Sequence, residues 1–84
     1  MQLISNDRFK SAEHRVLANR GGPRISIAVF FNPGIDDERP MGPIKEKLSD
    51  DDPAKYQEIL FRDYFKYYTT KGLDGESALN HFKL

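Results

Sequence analysis

A chain of 84 residues and 9.7 kDa is one small domain at most. At this size only about 60–65% of the unfolded surface is buried on folding, so 38% hydrophobic against 31% charged residues is marginal and points to part of a larger fold. There is no cysteine, no apolar run near the roughly 18 residues of a membrane span, and no basic-then-apolar leader, which excludes disulfide scaffolds, spanning helices and secretory signals and leaves a cytoplasmic location as the expectation.

Residues 2–5 are a short apolar-polar stretch that ends in a turn at Asn6-Asp7. Residues 9–18 read as a strand, with Ala12, His14, Val16 and Ala18 on the smaller, more apolar face. Asn19-Arg20-Gly21-Gly22-Pro23 is a turn or crossing loop. Residues 24–31 carry the strongest strand signal, apolar on both faces and therefore expected to be covered on both sides. Asn32-Pro33-Gly34 ends that strand. Residues 35–52 are a connector with an acidic cluster at Asp36-Asp37-Glu38 and a possible helical turn at 44–48.

A helix is predicted from about Pro53 to Lys71. Asp52 is a suitable N-cap, Pro53 suits the first helical position, and Gly72 is the C-terminal stop. Tyr56, Leu60, Tyr64 and Tyr67 recur at helical spacing, as do Phe61, Phe65 and Tyr68. This stripe reads as a packing face, and Glu58 and Arg62 as an i,i+4 ion pair. Residues 73–84 read as irregular. The order is strand, strand, strand, long helix, tail: mainly β with a C-terminal helix.

Net charge is zero, but residues 1–34 carry net +3 and residues 35–84 net −3. That asymmetry is too weak to argue for nucleic acid. Three residues could carry chemistry. His14 is either a core or rim histidine with a satisfied hydrogen bond or a metal ligand. Arg24 and Ser26, two apart on one strand, share a face. They are either a strand-end arginine beside a hydroxyl, or a receptor for one carboxylate, with a two-pronged guanidinium contact and a short hydroxyl bond. Asp50-Asp51-Asp52 reads as a solvated helix flank, and His81 as structural or exposed. No nucleophile-base or paired-carboxylate arrangement stands out, so no catalytic residue is assigned.

The stretch from Leu3 through Glu13-His14-Arg15-Val16, then Gly22-Pro23-Arg24-Ile25-Ser26 to Asn32-Pro33-Gly34, resembles the plant 2-oxoglutarate- and Fe(II)-dependent dioxygenases. Residues 42–49 and 71–84 continue the resemblance. The branch of 1-aminocyclopropane-1-carboxylate oxidase homologues is the one it resembles in particular. The resemblance implies an incomplete double-stranded β-helix, or jelly roll. Residues 1–34 would be its C-terminal strands, 35–52 a connector, and 53–84 the C-terminal helix and tail. It implies His14 as the distal histidine of a two-histidine, one-carboxylate iron triad, and Arg24 and Ser26 as the pair holding the far carboxylate of 2-oxoglutarate. The His-x-Asp ligands of the family are missing: Val16 and Lys83 stand two residues after His14 and His81. Met41 stands where relatives usually carry tyrosine. The expectation is a C-terminal portion of an oxidoreductase that couples 2-oxoglutarate decarboxylation to oxidation of a small organic substrate, inactive and without tight Fe(II) or 2-oxoglutarate binding on its own. The alternative is a non-catalytic interaction fragment that self-associates or pairs with an intact homologue by strand addition.

Overall fold

The computed structural model describes all residues, 1–84. It is organised around one ten-residue helix, α1 (Phe61–Thr70), with single 3-10 segments at Lys45–Lys47 and Ala78–Phe82. The expected β architecture is not there. No strand and no sheet form, and the only ladder contacts are three isolated antiparallel bridges: Met41 with Ile59, Ser49 with Asp52, and Tyr56 with Lys83. The physical reason lies in residues 9–33. None of them makes a backbone–backbone hydrogen bond. A strand is stable only when a neighbour accepts its ladder, however β-prone its Ile, Val and Phe side chains are. No segment of this chain supplies that neighbour, so residues 24–31 stand bare, with Ile25 and Phe31 above 90% exposed.

The helix also starts later than predicted. Asp52 and Pro53 do not open it. Residues 53–60 stay non-helical because their backbone groups are already engaged at long range. Ile59 exchanges two 2.8 Å bonds with Met41, Gln57 N donates to Phe82 O, and Leu84 N donates to Lys55 O. A first helical turn would have to break these, so tertiary pairing overrides local preference. The Glu58–Arg62 pair is absent for the same reason. Glu58 instead meets Lys45 at 2.9 Å and Arg62 approaches Glu38 at 3.8 Å.

The C-terminal stop is as predicted: Gly72 adopts φ +76°, a left-handed conformation that suits glycine after a helix. The stripe is half right. Tyr64 and Tyr67 turn inward onto Phe82, with ring centroids 6.1 and 5.7 Å away, whereas Phe65 and Tyr68 face outward. A helix this short is marginal in water, so this packing holds it. Its partner is the 3-10 segment Ala78–Phe82, where the tail was expected to be irregular. The core is small: Leu3, Tyr56 and Ile59, flanked by Ile4, Met41, Tyr64, Leu79 and Phe82.

Candidate functional site

His14, Arg24 and Ser26 all lie in the bare residues 9–33 and are all exposed. No hydrogen bond or ion pair joins them to one another. His14 Nδ1 lies 3.0 Å from the carbonyl oxygen of Ala12. A carbonyl can only accept, so Nδ1 carries the proton and Nε2 is the nitrogen with the free lone pair. With Nδ1 at a backbone carbonyl, Nε2 is the nitrogen open to a ligand. Arg24 enters no ion pair, although carboxylates engage Arg8, Arg39 and Arg62 elsewhere.

The structure assembles a different polar cluster, one that sequence reasoning missed. It is built on the turn at residues 2–7, where Asn6 and Asp7 take φ of +53° and +70°. Short polar side chains tolerate that left-handed region best. The turn aims Asn6 inward until it is 2% exposed. Its amide donates to Asp52 Oδ1 and to Pro53 O, and its oxygen accepts from Lys55 N at 2.8 Å. Beside it, the buried Tyr56 hydroxyl donates to Asp7 Oδ1 at 2.5 Å, and Gln2 Nε2 donates to the same oxygen. The Tyr56 bond, with help from Gln2, holds the Asp7 carboxyl below its ordinary range. Burial, and then the same bond to Asp7, pushes Tyr56 up. Lys55 and then Arg8 hold Asp52 low.

Each of these polar atoms already has a partner within the chain. The cluster therefore joins the first eight residues to residues 47–56. A largely apolar cavity of about 240 Å³ lies nearby, lined among others by Leu3, Ile4, Phe31, Met41 and Ile59, with Tyr64 its one titratable side chain. The Asn-Asp pair was legible as a turn. Its partners, far away in sequence, were not. His81, read as structural or exposed, is exposed and stacks on Tyr67 with centroids 4.0 Å apart.

Comparison with known proteins bears on the three exposed residues. Residues 1–33 match the model of the 2OG-Fe(II) oxygenase superfamily, and all three lie inside that span. Over its whole length the chain is 52% identical to 1-aminocyclopropane-1-carboxylate oxidase homolog 3 of Arabidopsis thaliana. Over residues 1–33 the chain is similar to the 2OG-Fe(II) oxygenase superfamily, and over its whole length to a part of these relatives. It is 49% identical to homologs 12 and 7 of the same plant, again over all of its own length. It spans 23% of homologs 3 and 12 and 25% of homolog 7. No solved structure matches it.

The superfamily implies Fe(II) and 2-oxoglutarate in its intact members. The residues present do not make a site for iron. No three His, Cys, Asp or Glu side chains come together in a metal-holding group. His14 is one imidazole, and a facial triad needs two histidines and a carboxylate on one side of the metal. Arg24 and Ser26 could meet one carboxylate of 2-oxoglutarate, but nothing here receives its other end.

Proposed function

We propose that this chain supplies one ligand and one clamp to a 2OG-Fe(II) oxygenase whose remaining site residues lie outside it. His14 contributes an imidazole to iron, and Arg24 and Ser26 contribute the guanidinium and hydroxyl that hold the far carboxylate of 2-oxoglutarate. The three functional side chains belong to residues 1–34. Residues 35–52 connect them to residues 53–84, which give the packing of the C-terminal part. The substrate would be a small organic molecule. The observation that carries this reading is the match of residues 1–33 to the superfamily, a span that holds His14, Arg24 and Ser26, in a chain with no second ligand beside His14.

A charge-assisted contact to Arg24 contributes about 1.5–3 kcal/mol. Alone, that corresponds to a dissociation constant of the order of millimolar or weaker. The isolated chain is thus expected to bind neither group tightly. Anaerobic calorimetric titration with Mn(II), with and without 2-oxoglutarate, should show no stoichiometric binding. Micromolar 1:1 binding that His14→Ala abolishes would overturn the reading for the isolated chain. In a complete enzyme containing this segment, His14→Ala should abolish metal binding, and Arg24→Ala should weaken 2-oxoglutarate binding with metal retained.

The second reading, a non-catalytic fragment that pairs with another chain, is favoured by one observation: the bare, apolar residues 24–31.

A further inference from the structure

We propose that Gln2 is a positioning residue for His14: its side-chain amide bonds the backbone at Ser11 on one side and the Asp7–Tyr56 pair on the other, and so fixes where the His14-bearing segment leaves the core. What the imidazole does there rests on the oxygenase reading; the tether itself does not.

The hydrogen bonds single out this residue. Residues 9–33 make no backbone–backbone bond, and only two hydrogen bonds join them to the rest of the chain. One is local, from Phe9 N to the Ser5 hydroxyl. The other runs from Ser11 N to Gln2 Oε1 at 3.0 Å. The other end of the same amide reaches the core. Gln2 Nε2 donates to Asp7 Oδ1 at 2.9 Å and to the Tyr56 hydroxyl at 3.2 Å. Tyr56 is 1% exposed and donates its own proton to Asp7 Oδ1. The Gln2 backbone is held as well, since its carbonyl accepts from Asp7 N and from the Ser5 hydroxyl.

The chemistry of position 2 explains why an amide stands there. It needs a donor toward the carboxylate and the phenol and an acceptor toward the Ser11 N–H, and glutamine carries both on one planar group. Leucine, of similar size, offers neither. An ionised glutamate offers no donor and sets a like charge against Asp7.

His14 lies three residues beyond Ser11, a reach of at most about 11 Å even when fully extended. Ala12, whose carbonyl meets His14 Nδ1, lies within that short arm. The Ala12 bond orients the ring relative to its own segment, whereas the Gln2 bond places the segment relative to the core. Freed at Ser11, the arm would pivot from Phe9 and carry the imidazole with it.

The test is amide hydrogen exchange and nitrogen relaxation on the full chain, with neither metal nor 2-oxoglutarate present. Gln2→Leu is expected to lower the protection of Ser11 about tenfold, the size of one lost hydrogen bond, and to bring the order parameters of residues 11–14 down to those of residues 24–31. Ile59, bonded to Met41, should keep its protection within about twofold. Gln2→Glu separates positioning from the filling of space. Protonated, its carboxyl again presents one donor and one acceptor, and the neighbouring Asp7 carboxylate raises the pH at which it does so. Tyr56, Lys10 and Lys83, which also face Asp7, are left in place. In this variant Ser11 protection, taken relative to the intrinsic rate, should be low at about pH 7 and recover toward about pH 5, while the unsubstituted chain stays level. Unchanged Ser11 protection in Gln2→Leu, equal losses at Ser11 and Ile59 in both variants, or no recovery of Gln2→Glu in acid would each overturn the proposal. Failure of the oxygenase reading is read separately, as metal binding by a complete enzyme that survives His14→Ala.

Discussion

Residues 24–31, which follow Pro23, and residues 53–60, which begin at Pro53, both carry large apolar side chains and are both non-helical, yet they meet opposite fates. In the second region Tyr56 is 1% exposed and Ile59 exchanges a pair of bonds with Met41. In the first, no backbone group is bonded to another and the side chains lie in solvent. Apolar side chains alone do not decide this, since residues 24–31 carry more of them. The difference is whether the rest of the chain brings up a complementary backbone. Residues 41, 82 and 84 do so for the second region; nothing does so for the first. An apolar segment is a core only in company.

The hardest test of this contrast is a matched truncation. Tyr56→Ala empties the best-buried site of the chain, and removing a buried aromatic costs about 3–5 kcal/mol. That is a large share of the stability of any small domain. The variant is expected to lose the thermal transition followed by circular dichroism. Ile25→Ala, at a dilution where the chain is monomeric, should change stability by less than about 0.5 kcal/mol, as for an exposed side chain. Comparable losses in the two variants would show that residues 24–31 pack somewhere within the monomer.

The polar counterpart is Asn6. Its substitution by alanine removes bonds to Asp52, Pro53 and Lys55 and leaves the Lys55 N–H and the Pro53 carbonyl short of a partner. A cost of about 1–3 kcal/mol is expected in denaturant unfolding. Asn19, whose oxygen bonds only the nearby Gly21 N–H among exposed residues, should cost a few tenths of that when changed to alanine.

Acid should act on the same side of the molecule. Asp7 and Asp52 are held low by Tyr56 and by Lys55 with Arg8 respectively. Groups with depressed folded values stabilise above the unfolded value, near 3.8, and that contribution is lost as pH falls through the folded one. Tyr56 has the opposite sign at the other end. Its raised value stabilises below about pH 10 and is lost as pH rises through the folded value. Protection from hydrogen exchange at residues 53–60, taken relative to the intrinsic rate at each pH, should therefore fall below about pH 4 and above about pH 10. Residues 24–31 should show only the intrinsic exchange rate throughout. Asp7→Asn should flatten the acid limb.

What could be read in advance follows the same division. The turn at Asn6-Asp7, the short helical turn at 44–48, the stop at Gly72 and the inward pair Tyr64 and Tyr67 are set by near neighbours, and sequence reasoning reached all of them. The start of α1 was missed by eight residues because Leu84, Phe82 and Met41 compete for the backbone of residues 53–60. No local pattern announces that competition. The β reading of residues 9–18 and 24–31 took strand propensity for strand formation. Propensity says that a segment can pair, not that a partner exists. At the candidate site, Glu13-His14-Arg15-Val16 and Arg24-Ile25-Ser26 were legible as motifs. Their mutual geometry was not, since no backbone partner within the chain holds residues 9–33 in place.

The finest probe compares two glycines. Gly22 and Gly72 both adopt positive φ, +122° and +76°, and neither would meet any atom within 4 Å if it carried a Cβ. On conformational grounds alone, alanine should be costly at both. The surroundings differ. Gly72 follows a helix whose last turn is fixed by Lys71 N bonding Tyr67 O, by the Thr69 and Thr70 hydroxyls bonding carbonyls in α1, and by the Lys71–Asp74 ion pair beyond it. Those bonds over-determine the backbone, so an alanine there must accept the left-handed conformation or break them. Gly22 lies among residues without backbone–backbone bonds, and its φ can relax at no cost elsewhere. Strain persists only where the surrounding structure enforces it. Gly72→Ala should therefore cost about 1 kcal/mol in denaturant unfolding, and Gly22→Ala less than about 0.3 kcal/mol. An equal cost at both positions would mean that residues 9–33 are held as firmly as the core, and the contrast between the two regions would fail.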